Sequence, residues 1–352
     1  MENAFSHNVL QSSAMPSASK GNKPGRALAM AGLGLAGVIF GGFPYWAARR
    51  VMYPAFEETM PRGVNLPLAI ELSSDAVPEY LVYKGHDGME RSGWFVPGAN
   101  TAEKPWPTIL LLYGYGGHKE QMAYYARMLH DAGFACFMFD MQGTGLLRGL
   151  PVTMGYRERL DTLDAVAYLG TRGDVDSERI GALGVSMGAA TALMAAEMEP
   201  KIKAVVSDSS YADLNDMVRP GLRTFVGRPA TFFAPLIMRW AEQMVGMKAG
   251  AVHPEASAAK LGQRPVFVIH GADDPLTDPG SAPRIFAAAS GPKELWVVPY
   301  CGHARAPEVA HEEYKERVTA FFVNALSENG ALRRGRNGAA KSDREGALYG
   351  FN

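Results

Sequence analysis

The chain has 352 residues, 47% of them hydrophobic and 20% charged, and a formal net charge of −1. That length holds one large α/β domain or two ordinary ones, and the near-neutral charge gives no electrostatic reason to expect nucleic acid or an acidic substrate. Two cysteines, Cys136 and Cys301, exclude a disulfide framework, and Cys136 in the run F-A-C-F-M-F reads as a small buried hydrophobe.

Residues 1–26 are polar and rich in Ser, Asn and Lys, the composition of a disordered tail. Residues 27–48 carry no charge, and as a helix they would extend about 33 Å at ~1.5 Å per residue, enough to span a hydrocarbon core. Lys20, Lys23 and Arg26 flank one end and Arg49 and Arg50 the other, with Tyr45 and Trp46 where interfacial aromatics belong. A cleaved signal peptide fits poorly, because Tyr45 and Trp46 occupy the positions that cleavage near Ala47 or Ala48 needs small. The expectation is a single-pass membrane anchor of undetermined orientation, followed by a juxtamembrane segment over 49–77. Gly32, Gly34 and Gly37 match G-x-G-x-x-G formally, but no strand precedes them and no acidic residue follows at the required distance, so the dinucleotide reading is rejected.

From residue 78 the chain alternates. E-Y-L-V-Y and S-G-W-F-V-P around Asp87-Gly88 read as a β-hairpin. T-I-L-L-L-Y (Thr108 to Tyr113) and F-A-C-F-M-F-D, ending at Asp140, read as doubly buried strands separated by a helix over 119–132. A helix over 156–169, a strand over 180–185 and a helix from Gly188 continue the rhythm. K-A-V-V-S-D, P-V-F-V-I-H and E-L-W-V-V-P supply further strands. The pattern predicts an α/β fold: a mostly parallel sheet with helices on both faces, over 78–326. Residues 212–263 interrupt it with an apolar, Met- and aromatic-rich helical stretch, read as a small cap over the site rather than an added helical pair. Residues 327–352 read as a flexible basic tail.

The chemistry concentrates in R-I-G-A-L-G-V-S-M-G, a strand ending in G-x-S-x-G that runs straight into a helix of small residues. This is the pattern of a nucleophile elbow, in which Gly184 and Gly188 allow close backbone passage and Ser186 is exposed on a strained turn. Asp273 and Asp274 follow the strand V-F-V-I-H, and His303 follows the strand W-V-V-P. That gives the order Ser, Asp, His, with all three at strand carboxyl ends. The glycine-rich turn Y-G-Y-G-G-H after Leu112 offers an oxyanion site, with backbone amides of Tyr115 and Met187 as donors. His118 nearby reads as a surface residue. No metal-ligand spacing is present, and no cofactor is expected.

These residues resemble the α/β-hydrolase family. G-V-S-M-G is similar to its elbow, Y-G-Y-G-G to its H-G-x-G-G oxyanion loop and F-D-M-Q-G-T-G to its D-x-R-G-x-G loop; H-G-A-D-D-P and G-H-A are similar to its acid and histidine loops. The resemblance covers about residues 79–325. It implies Asp274 as the triad acid, with Asp273 the runner-up and Asp208 a more distant alternative. Tyr113 and Gln142 depart from the family's usual histidine and arginine. The uncharged amino-terminal run, D-G-M-E-R-S-G-W-F-V-P opening and short cap most resemble membrane-anchored hydrolases of the BEM46-like type. This resemblance implies a serine hydrolase acting on a small-molecule or lipid-acyl ester or thioester. An amidase or aminopeptidase of the same fold is the nearest rival, and a non-catalytic binding protein the more distant one.

Overall fold

The computed structural model describes residues 30–31, 37–54, 77–100 and 104–326. The chain divides into two compact units, residues 1–43 and 44–352. In the first, Val38–Gly42 forms a π-helical turn. The expected tails over 1–26 and 327–352, most of 55–76 and the rejected glycine motif lie wholly or largely outside the described residues. So do residues 27–29 and 32–36 of the expected anchor. No helix among the described residues is long and apolar enough to cross a membrane.

The second unit begins inside helix α1 (Phe43–Met52). A β-hairpin follows, β1 (Glu79–Lys84) and β2 (Glu90–Val96). Its turn closes where the Asp87 carboxylate accepts from the Met89 amide at 3.0 Å and Gly88 takes a φ of 77°. Then come β3 (Trp106–Leu112), α2 (Ala123–Asp131), β4 (Ala135–Phe139), α3 (Glu158–Leu169), β5 (Val175–Val185) and α4 (Met187–Met198). After β6 (Ile202–Asp208) the chain forms α5 (Leu214–Phe225), α6 (Ala234–Val245) and α7 (Pro254–Ala259). It ends with β7 (Val266–Gly271), α8 (Ser281–Ala288), β8 (Lys293–Val298), α9 (Ala306–Val309) and α10 (His311–Leu326).

The strands form one sheet in the order β1-β2-β4-β3-β5-β6-β7-β8. β2 runs antiparallel to both neighbours and every other pairing is parallel. The fold is thus the mostly parallel, helix-covered sheet expected from the alternating runs. All residues of β3, β4 and β7 are buried, which is why those runs are continuously apolar rather than alternating. Cys136 is fully buried among them. Crossovers between parallel strands bring the ends of β3, β5, β6, β7 and β8 to one edge, where ligands bind in such sheets.

Ala47, Ala48 and Met52, in or beside the uncharged run, are buried, and α1 from Pro44 onward falls in the second compact unit. An uncharged helix looks the same in sequence whether lipid or a protein interior receives it.

Candidate active site

Ser186 follows β5 directly and takes φ 56°, ψ −118° before α4 begins. A non-glycine residue there costs ~1–3 kcal/mol, and the neighbouring packing imposes it. A Cβ on Gly184 would lie 2.2 Å from the Gly188 carbonyl oxygen, and one on Gly188 2.2 Å from that of Leu112. Both glycines are therefore fixed by backbone passing backbone, which is the physical content of G-x-S-x-G.

The turn brings Ser186 Oγ to 2.8 Å from His303 Nε2. His303 Nδ1 lies 2.7 Å from Asp274 Oδ2. Since the carboxylate can only accept, Nδ1 carries the proton and Nε2 is left to accept from the serine hydroxyl. Asp274 Oδ1 accepts from the amides of Leu276 and Thr277 at 2.8 and 2.9 Å. Burial opposes its charge, but hydrogen bonds from His270 and His303 outweigh that and hold the carboxyl well below its ordinary range. Asp273, by contrast, points to solvent.

The acid and histidine loops pack backbone to backbone. The Asp273 amide donates to the Cys301 carbonyl at 2.9 Å, and a Cβ on Gly271 would strike the same oxygen. Asp208 ends β6 beside Val185, but its side chain is turned away from the serine–histidine pair. It accepts from Ser209 Oγ and from the Tyr314 hydroxyl, each at 2.9 Å. Ser209 Oγ in turn accepts from the Ala304 amide at 3.1 Å, next to His303. Burial pushes the Asp208 carboxyl up. Asp208 is thus a buried support for the histidine loop, which corrects its standing as an alternative acid. Ser209 and Ala304 share the positive φ of Ser186, so three strained residues meet at this edge.

The turn after β3 lies against the nucleophile, with a Cβ on Gly114 only 3.2 Å from Ser186 Cβ. The chain around Tyr115 and Met187 therefore borders the serine, and both residues line the cavity above it. The Tyr115 hydroxyl donates to the Val51 carbonyl of α1 at 2.9 Å, and burial raises its pKa to about 12. Tyr113 is buried; its hydroxyl bonds Thr144 Oγ1 and accepts from the Met141 amide at 2.8 Å. It ties the end of β3 to the Asp140–Thr144 loop. Gln142 donates from Nε2 to the Pro151 carbonyl at 2.5 Å and from its amide to Asp161 at 2.8 Å. Both departures are thus structural supports behind the cavity. His118 sits 3.2 Å from Glu120 and lies outside the cavity lining.

The cavity measures about 410 Å³, within the ~300–1,000 Å³ typical of small-molecule sites. Ser186 and His303 are part of its lining. The walls come from residues 212–263, including Leu222, Phe225, Ile237 and Ala241, and from Ala48, Val51 and Met52 of α1. Met52, Met154, Met187, Met217, Met238 and Met247 also face it, a flexible and polarizable lining that adapts to apolar ligands. No group of three or more His, Cys, Asp or Glu among the described residues is arranged to hold a metal ion.

Several contributors escape a sequence reading. His270 Nε2 lies 3.2 Å from the Thr277 carbonyl and 3.3 Å from Asp274 Oδ2, supporting the acid. Its only sequence signal is its place four residues before Asp274. Ser209 and Tyr314 carry none, and Val51 acts through a carbonyl that every residue has.

Comparison with known proteins agrees with this geometry. The model of the X-Pro dipeptidyl-peptidase (S15) family matches residues 93–259. The uncharacterized protein Rv2307c of Mycobacterium tuberculosis is 31% identical over 225 residues, 63% of this chain and 71% of the relative. The uncharacterized protein YfhR of Escherichia coli K12 is 26% identical over 256 residues, covering 71% and 82%. Among solved structures, the esterase Pf2001 of Pyrococcus furiosus superposes with a TM-score of 0.59 at 22% identity, covering 74% of this chain and 95% of that one. An acetyl xylan esterase from Paenibacillus gives 0.54 at 18% identity, covering 72% and 90%. The chain therefore belongs to the same family as its Mycobacterium relative, and its sheet order and structural neighbours show the α/β-hydrolase fold.

Proposed function

We propose that this α/β-hydrolase is a serine hydrolase cleaving esters or thioesters of an apolar acyl group. The observation that carries the reading is the unbroken relay from Ser186 Oγ through His303 to Asp274, opening into an apolar cavity. Ser186 attacks the acyl carbonyl as His303 Nε2 takes its proton, while Asp274 stabilises the imidazolium. The amides of Tyr115 and Met187 receive the oxyanion. Collapse expels the alcohol or thiol, protonated by His303, and water then releases the acyl group by the same route. The esterases among the structural neighbours and the predominantly apolar lining support ester over peptide substrates.

The match to the S15 peptidase model favours a second reading, hydrolysis of an amide. Leaving-group kinetics separate them: turnover of nitrophenyl esters of increasing chain length, without turnover of matched anilides, supports the ester reading. Loss of both activities in Ser186→Ala ties them to this site, whereas ester turnover that survives the substitution contradicts it.

The uncharged run at the amino end, with its basic flanks, supports a further element of the same reading, a membrane tether of the BEM46-like type. Because α1 belongs to the catalytic unit, the run left for a span is 27–43, at the short end of the ~17–25 residues a bilayer requires. Partition of the full chain into the membrane fraction after alkaline washing tests it, and extraction by that wash contradicts it.

A further inference from the structure

The helices whose inner faces wall the cavity carry an unusual outer face. In α6, Ile237, Ala241 and Val245 turn inward and are buried. At 3.6 residues per turn the opposite arc holds Leu236, Arg239 and Trp240, all exposed. Phe232, one turn earlier, is 78% exposed, and Arg228 is exposed a turn before that. α1 lies alongside: Tyr45 and Trp240 meet edge to face at 5.4 Å, and Trp46, Arg49 and Arg50 are exposed. Four large aromatic side chains and a leucine thus leave between about a third and three quarters of their surface exposed on this face of the catalytic unit, beyond the scattered single exposures ordinary for a surface.

Charge says what covers this face. Residues 217–241 contain four arginines and no acidic residue, and residues 43–54 contain two arginines and no acidic residue. None of Arg49, Arg50, Arg228 and Arg239 forms an ion pair among the described residues, although ion pairs are frequent elsewhere on the surface. Exposed Trp, Phe and Leu interleaved with unpaired arginine is the composition of a helix lying in the plane of an anionic bilayer. A second protein copy would meet like charge across a two-fold interface.

We propose that the outer face of α1 and α6, with Phe232, docks on an anionic lipid surface, so that the cap delivers membrane-borne acyl substrate to Ser186. The surface is separate from the tether: it acts through folded residues of the catalytic unit. Its substrate class rests on the acyl-hydrolase reading, but docking itself does not.

The test uses the full chain and two substrates: a soluble nitrophenyl acetate, and a long-chain nitrophenyl ester held in phosphatidylcholine vesicles with or without phosphatidylglycerol. Vesicle-borne turnover should rise with phosphatidylglycerol in the wild type. R228E and R239E should each lower it about fivefold or more, as expected for charge near such a surface, and F232S should lower it as well. All three should leave acetate turnover unchanged, since none lines the cavity. Equal vesicle-borne turnover in wild type and variants overturns the proposal. Docking is also read without catalysis, in Ser186→Ala: brominated lipid should quench tryptophan emission, and part of that quenching should vanish in the added Trp240→Phe. Absence of any Trp240-dependent quenching overturns docking even if the esterase reading stands, whereas quenching without ester turnover overturns only the esterase reading. A wild-type dimer that the same charge reversals dissociate, with vesicle-borne turnover unaltered, assigns the face to self-association and likewise overturns the proposal.

Discussion

The Tyr115 hydroxyl donates to the carbonyl oxygen of Val51 across 2.9 Å, joining the turn beside the nucleophile to a helix 64 residues earlier in the chain. Through this bond the amino-terminal helix participates in the geometry of the reaction site. Val152 adds a second tie, its amide donating to the Met52 carbonyl at 2.7 Å. The turn after β3 is otherwise rich in glycine and has one backbone bond of its own, the Gly117 amide donating to the Gly114 carbonyl at 3.0 Å.

Tyr115→Phe should therefore retain the fold and lose about 1 kcal/mol of stability, the usual net worth of one hydrogen bond. Its kcat on a soluble ester should fall severalfold with little change in KM, because the displaced amide serves the transition state more than the bound substrate. Thermal melts and steady-state kinetics check both, and an unchanged kcat would detach α1 from the chemistry.

The two neighbouring aspartates should behave oppositely. Asp274→Asn removes the carboxylate that fixes the proton on His303 Nδ1 and stabilises the imidazolium, and should cost about 10⁴-fold in kcat. Asp273→Asn, in solvent, should remain near wild type. Equal losses would mean that the loop's charge rather than Asp274 itself matters.

Acid stability offers an independent reading of Asp274. Its folded pKa is depressed below the unfolded ~3.9, so its stabilisation is present above about pH 4 and is lost as pH falls toward the folded value. The stability difference between wild type and Asp274→Asn should thus shrink between about pH 5 and pH 2 in denaturant titrations. A gap that stays constant over that range would place the stabilisation elsewhere.

Ala241 is nearly buried and faces the cavity from α6, so Ala241→Leu fills part of the acyl space. With ~1–3 kcal/mol at stake per misfit group, kcat/KM for long acyl chains should drop about tenfold or more while acetate is spared. A uniform loss across chain lengths would show instead that the substitution disturbs the fold.

What the sequence made legible follows from how tightly each feature is bound to one cause. Gly184 and Gly188 announce the elbow because no side chain fits there, and the buried strands announce a parallel sheet because both faces must be apolar. Ser186, Asp274 and His303 were placed by their positions after strands, and the fold brings those ends together. Asp208 was ambiguous because it too ends a strand; only the direction of its side chain, toward Ser209 and Tyr314, distinguishes a support from a triad member. Where the uncharged run ends is not legible, because Ala47 and Ala48 suit lipid and a packed cavity wall equally well. Val51 was invisible, since a backbone carbonyl leaves no mark in composition.

The central claim is that Ser186 is an activated nucleophile, and labelling of the full chain with a fluorophosphonate probe tests it most directly. Wild type should label covalently, Ser186→Ala should not, and Asp274→Asn should label far more slowly. A folded wild type that does not label, or a Ser186→Ala variant that labels equally well, would contradict the account.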